Sequence, residues 1–212
     1  MKGLTIALAK GRLADCAIEL LEKCGVDCAP LKVPTRKLVL FDADRKYRFI
    51  FVKPSDVPTY IERGVADIGV VGKDTLLEEG KDVYEIADLK FGACRMCVAG
   101  YATQKGAVTN SVLRVASKYE NVAREYYARQ GITVDIIKLH GSVELGPMIG
   151  LSDVIVDIVE SGRTLEANDL VVLEEICGIT ARLVVNKASM KTKYDEIKPL
   201  TDRIIGAVEA GN

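Results

Sequence analysis

The 212-residue sequence predicts an α/β fold in two lobes. Three observations carry that expectation. Short apolar, β-branched runs alternate with amphipathic segments along the chain. Two crossings between lobes, near residues 90 and 180, give a discontinuous first domain (1–90 plus 181–212) and an inserted second domain (91–180). Between Leu151 and Asn168 a strand, a tight glycine-containing loop and a helix follow one another, the local order of a ligand site in open α/β sheets.

The elements follow in order. Leu4–Ala9 is an apolar strand, and Lys10-Gly11-Arg12 follows its carboxyl end. A helix from Leu13 to Cys24 is closed by Gly25. Arg12 opposes the dipole at that helix start, which suggests an anionic ligand; solvated charges beside a turn are the alternative. Pro30–Arg36 reads as irregular. Leu38–Phe41 and Tyr47–Val52 form a hairpin about the polar turn Asp42–Arg45, with Arg36 before it and Lys53 after it. Ser55-Asp56-Val57-Pro58 reads as a side-chain-capped helix start, and Arg63-Gly64 as its end. Ile68–Val71 is a short strand, and Lys73-Asp74 opens another helix. Val83–Leu89 and Cys94–Gly100 are strands flanking the first crossing.

In the second lobe, Gln104–Asn110 reads as a polar loop, Arg114–Ser117 as a strand, Asn121–Gln130 as a helix and Thr133–Leu139 as a strand. Gly141-Ser142 caps a helix containing Glu144. Leu151–Val159 has the apolar, β-branched pattern of a buried parallel strand, interrupted by two aspartates. Leu165–Asn168 begins a helix. Leu170–Ile176 and Ala181–Asn186 are strands, Met190–Lys193 is helical, and Pro199 starts a last helix with Ile204, Ile205 and Val208 as its apolar stripe.

Composition excludes several classes. Apolar residues make up 49% and charged residues 28%, as in soluble globular proteins, and the net charge of −1 argues against a nucleic-acid surface. No apolar run reaches membrane-spanning length and no leader precedes the first strand, so a cytoplasmic protein is expected. The six cysteines are then expected to be reduced. Cys94 and Cys97 have CxxC spacing but lie on a strand, where residues three apart face opposite sides, and His140 is the only histidine. Neither a Walker A loop nor a GxGxxG fingerprint occurs.

The chemistry centres on Ser161-Gly162-Arg163-Thr164-Leu165. A loop of this kind directs main-chain N–H groups into a concavity suited to phosphate. The hydroxyls of Ser161 and Thr164 add donors. Asp157 and Glu160 precede it; carboxylates would repel phosphate, and suit a ribose diol or a bridging Mg²⁺. An ordinary turn, with Ser161 or Thr164 as N-cap, fits the short loop equally well.

The spacing of Asp157, Ser161, Gly162 and Thr164 resembles the phosphoribosyl-pyrophosphate loop of phosphoribosyltransferases. With Glu144, Gly150, Ser152 and Leu165 added, it resembles the signature of the ATP phosphoribosyltransferase family, and the likeness covers essentially the whole chain. The resemblance implies a periplasmic-binding-protein-like fold, type II, with the active site in the interdomain cleft. It implies condensation of ATP, at adenine N1, with 5-phosphoribosyl 1-pyrophosphate, the first step of histidine biosynthesis, with Mg²⁺ bound mainly through substrate phosphates. Glu144, Asp157 and Glu160 are then the catalytic set, and residues Asp157, Ser161, Gly162, Arg163, Thr164 and Leu165 hold the phosphoribosyl substrate. Lys10, Gly11, Arg12, Arg36 and Lys53 bind ATP, Lys53 standing where the family commonly has arginine. The chain resembles the short form, which implies a homodimer and a hetero-oligomer with a regulatory subunit related to histidyl-tRNA synthetase. A non-catalytic two-lobed receptor and a transferase acting on a free base are the rival readings.

Overall fold

A computed structural model describes residues 3–104 and 112–211. The expected polar loop Gln104–Asn110 lies, after Gln104, outside them. The chain divides into two compact units, one running to Gly92 and resuming at Thr180, the other Ala93–Ile179.

The first unit holds β1 (Leu4–Ala9), α1 (Arg12–Lys23), α2 (Ala29–Lys32), β2 (Val39–Phe41), β3 (Tyr47–Val52), α3 (Val57–Glu62), β4 (Ile68–Gly72), α4 (Lys73–Glu79) and β5 (Tyr84–Asp88). The second holds β6 (Cys94–Gly100), β7 (Leu113–Ser117), α5 (Glu120–Arg129), β8 (Val134–Lys138), α6 (Leu145–Met148), β9 (Val154–Val159), α7 (Arg163–Glu166) and β10 (Val171–Ile179). The chain then returns to the first unit as β11 (Ala181–Val185), α8 (Lys187–Thr192) and α9 (Tyr194–Ala210).

The first unit is a six-stranded sheet in the order β2-β3-β1-β4-β11-β5. β1 is parallel to β3 and β4. Its alternation decides the two faces: Leu4, Ile6 and Leu8 pack with α1 and α9, whereas Ala7 and Ala9 pack with Val57 and Ile61 of α3. Phe49, Leu183, Ile197 and Leu200 are fully buried in this unit.

The second unit is a five-stranded sheet in the order β10-β6-β9-β7-β8. β9 runs parallel to β7 and antiparallel to β6, so the expected parallel strand is parallel on one side only. It begins at Val154 because Gly150 turns the chain in the left-handed region, and Leu151 N–H and Ser152 N–H both return to the Gly146 carbonyl.

Several local expectations are corrected. Pro30–Arg36 contains a helical turn, since Pro30 fits a first turn and the Asp27 carboxylate accepts from Ala29 N–H. No side chain caps α3; a 3₁₀ turn, Pro54–Asp56, leads into it. The last helix starts at Tyr194 and carries Pro199 inside it. Acidic Asp195 and Glu196 favour its first turn, and burial of Ile197 and Leu200 offsets the hydrogen bond lost at Pro199.

The crossings meet at Asp88. Its carboxylate accepts from Lys90 N–H, the Thr180 hydroxyl and the Lys90 ammonium, with Arg182 alongside. Burial opposes the charged form, but these partners outweigh it and hold the pKa at about 2. A folded-state pKa below the unfolded one adds stability above about pH 4 and loses it as pH falls through about 2. Denaturant midpoints of Asp88→Asn should therefore fall less steeply between pH 4 and pH 2 than those of the wild type; parallel slopes would refute the assignment.

Candidate functional site

The loop after β9 takes its shape from Gly162, which sits at φ 79°, ψ −7°. That left-handed conformation costs a side chain about 1–2 kcal/mol. Nothing lies within 4 Å of a Cβ built there, so the space above the glycine is open to a ligand. No side chain caps α7, which removes Ser161 and Thr164 as N-caps. Among the described residues, no hydrogen bond engages the main-chain N–H groups of Gly162, Arg163, Thr164 or Leu165. Four successive donors at one turn form a natural anion cradle.

The helix behind them is one turn, Arg163–Glu166, beginning two residues before the expected Leu165. The cradle therefore relies on its own N–H groups and little on a macrodipole, which builds up only with length. Ser161, Arg163 and Thr164 are exposed or only partly covered. The Leu165 side chain is 6% exposed and packs with Val159 and Leu170, so it anchors the turn and offers only its N–H.

Asp157 is half-buried on β9 opposite Cys97, and its carboxylate accepts from Ile158 N–H at 2.8 Å. Glu160 is exposed just before the loop. Glu144 is the N-cap residue of α6 rather than a residue within it. Ser142 adopts φ 47° and supplies no capping side chain; its carbonyl accepts from Leu145 N–H instead. The segment bearing Glu144 leaves the carboxyl end of β8, and the loop leaves that of β9, in the parallel set β9-β7-β8.

Sequence reasoning missed the clamp that fixes the start of β9. Arg114 gives Asp153 its main-chain N–H, Nε and Nη2, while its Nη1 donates to the Gly150 carbonyl. The Arg114 partner holds the Asp153 carboxyl below its usual range. Arg114 stands out as a charge within an apolar strand and Asp153 as one just before another, but 39 positions separate them. Next to the clamp, a Cβ on Gly146 would come within 2.5 Å of the buried Ser152 Oγ, so α6 approaches β9 closely.

The basic residues of the first unit gather through its topology. Lys10 follows β1 and Lys53 follows β3, and Ala9 pairs with Val52. Lys10 N–H donates to the Val52 carbonyl at 3.0 Å. β2 is antiparallel to β3, which puts its start, and with it Arg36, at the same edge. Gly11, at φ 103°, turns the chain from that edge into α1, whose first residue is Arg12. Carboxyl edges of parallel strands are where ligands bind in such sheets.

No three His, Cys, Asp or Glu side chains converge as metal ligands among the described residues. The carboxylates present suit a Mg²⁺ held chiefly by substrate phosphates. Cys97 is buried and its thiol is pushed up by that burial; Cys28 is pushed up to about 11, again chiefly by burial. None of the six cysteines is joined in a disulfide.

Residues 53–206 match the family model described as ATP phosphoribosyltransferase. The ATP phosphoribosyltransferase of Ruminiclostridium cellulolyticum is 54% identical over 206 residues, covering 96% of each chain. That of Caldanaerobacter subterraneus is 54% identical over 209 residues, 98% of this chain and 99% of the other. Among solved structures, the ATP phosphoribosyl transferase (HisG:HisZ) complex from Thermotoga maritima contains a chain 36% identical, with TM-score 0.85 and 99% of each chain covered. The BvgS VFT2 domain of Bordetella pertussis, 10% identical with TM-score 0.55 over 99% of this chain and 93% of the other, shares the fold alone.

Proposed function

The chain belongs to the ATP phosphoribosyltransferase family, and from that premise we propose how its residues divide the work. The fold is the two-lobed periplasmic-binding-protein-like type. The enzyme is a pentosyltransferase: it joins adenine N1 of ATP to C1 of 5-phosphoribosyl 1-pyrophosphate and releases pyrophosphate, opening histidine biosynthesis.

The N–H groups of the Ser161–Leu165 loop hold the 5-phosphate, helped by the hydroxyls of Ser161 and Thr164 and the charge of Arg163. Asp157 and Glu160 bind the ribose hydroxyls, directly or through the metal. Glu144 orients the ribose or the pyrophosphate. Lys10, Arg12, Arg36 and Lys53 receive ATP, and Gly11 lets the main chain approach it. At Lys53 a point charge replaces the planar fork an arginine would supply. When bound, Mg²⁺ supplies charge neutralisation on the pyrophosphate.

C1 undergoes displacement with inversion through an oxocarbenium-like state, so no covalent nucleophile is required. Alignment of two anionic substrates and shielding of the leaving charge do the catalysis. The four unengaged N–H groups from Gly162 to Leu165, preceded by Asp157 and Glu160, are the observation that carries this reading. The protein works in the cytoplasm as a homodimer joined to a regulatory subunit. HisZ in the Thermotoga complex supports such a second subunit, and the family resemblance makes it one related to histidyl-tRNA synthetase.

The test is direct. The chain with its regulatory subunit, given ATP and phosphoribosyl pyrophosphate, should produce the ultraviolet absorbance of the N1 adduct. Silence with ATP, or an equal signal with adenine or orotate, would defeat the reading. Asp157→Asn should lower kcat about 100-fold, the scale of a misoriented substrate, with little change in melting temperature. Unchanged turnover would reduce Asp157 to a partner for Ile158 N–H.

A further inference from the structure

At the end of the first unit's sheet opposite Lys10 lies a cavity of about 400 Å³ lined by Gly3, Leu4, Thr5, Phe41, Arg45, Lys46, Arg48 and Lys193. β1 spans six residues, so about 20 Å separates this pole from the Lys10 edge. Its floor is a row across the sheet. Phe41 pairs with Arg48 and Arg48 with Thr5, while Asp67, beside Thr5, accepts from Thr5 N–H and binds Lys193.

The charge here is lopsided. Arg45, Lys46, Arg48 and Lys193 face one cavity in a chain whose net charge is −1. Only Lys193 has a carboxylate partner among the described residues, and that partner, Asp67, is 3% exposed and also accepts from Thr5 N–H and the Ser189 hydroxyl. Arg48 gives Nε to the Thr5 hydroxyl, which fixes its guanidinium over the floor. Arg45 stacks on Phe41, 4.8 Å from the ring centroid, and Lys46 lies over Tyr47. Asp195 and Glu196 line only the adjoining cavity, which shares Leu4 and Lys46.

Holding three such cations together without anions costs Coulomb repulsion, and four donor-rich side chains around one cavity match a multiply charged, oxygen-rich ligand. The local backbone is shaped to bring them there. Gly3 lies so close to the Lys46 carbonyl that a Cβ would come within 2.7 Å, and Arg45 holds φ 55° at the turn that brings Lys46 round. We propose that this pole of the first unit is a second anion site, which takes a small soluble oligophosphate through Arg45, Lys46, Arg48 and Lys193, separate from the residues assigned to ATP and the phosphoribosyl substrate.

Calorimetric titration of the full chain with tripolyphosphate at low ionic strength tests it. Wild type should bind one more equivalent per chain than Lys46→Met/Arg48→Met, while the KM for ATP of the two, measured with the regulatory subunit present, coincides. Equal tripolyphosphate stoichiometry would overturn the site. Acetylation of the wild-type chain gives a readout that needs no variant: tripolyphosphate should slow modification of Lys46 and Lys193 several-fold, and unchanged rates would overturn the proposal. Orthophosphate should bind there at least tenfold more weakly; equal affinity would overturn the oligophosphate assignment.

Discussion

Replacing Gly162 with valine should abolish binding of phosphoribosyl pyrophosphate while leaving the chain folded. The residue holds φ 79°, a region where a β-branched side chain is a genuine outlier. No atom lies within 4 Å of the position a Cβ would take, so the side chain meets no clash in the folded protein. The strain of about 1–2 kcal/mol lowers the melting temperature by about 2–8 °C in a chain of this length. The effect on binding is far larger. Either the turn relaxes and the N–H groups of Arg163, Thr164 and Leu165 diverge, or the valine methyls fill the space a phosphate needs. Titration calorimetry should show no heat of binding, with an unchanged far-ultraviolet spectrum. Wild-type affinity in the variant would remove the loop from the site.

The largest loss of stability is expected at Asp67→Ala. This carboxylate accepts from Thr5 N–H at 2.8 Å, from the Ser189 hydroxyl at 2.6 Å and from the Lys193 ammonium. It thereby ties β1, β4, α8 and the start of α9 together. Removal leaves buried donors unmatched and one cation without its partner, a change that costs about 3–5 kcal/mol. Against a typical total of about 5–15 kcal/mol, the denaturant midpoint should drop by about a fifth or more with an unchanged slope. Lys193→Met, which removes only the half-exposed partner, should cost much less. A loss below about 1 kcal/mol for Asp67→Ala, the scale of a single ordinary hydrogen bond, would show that Asn186, which caps α8 and bonds the Ile61 carbonyl, holds the junction alone.

Much of this was legible in the chain. Leu4–Ala9 and Cys94–Gly100 are strands at the expected residues, and the crossings fall beside the expected positions near 90 and 180. The loop residues stand out because glycine, hydroxyls and acids interrupt an apolar run. Other features were illegible. Pro199 marks a helix start in sequence, but tertiary burial of Ile197 and Leu200 extends the helix back to Tyr194. Ser142 looks like a cap, but its backbone goes left-handed and Glu144 takes the position.

The sequence by itself determined the alternation of strands and helices, the two-lobed class and the glycine-containing turn after β9, because periodicity, glycine geometry and charge interrupting apolar runs act over a few neighbouring residues. Only the tertiary structure decided which distant residues meet. It set Lys10 beside Lys53, clamped Arg114 on Asp153 across 39 positions, buried Asp67 under Lys193, and gathered four cations at the far pole of β1. Strand order and direction bring those groups together, and no local pattern in the chain encodes which strands become neighbours.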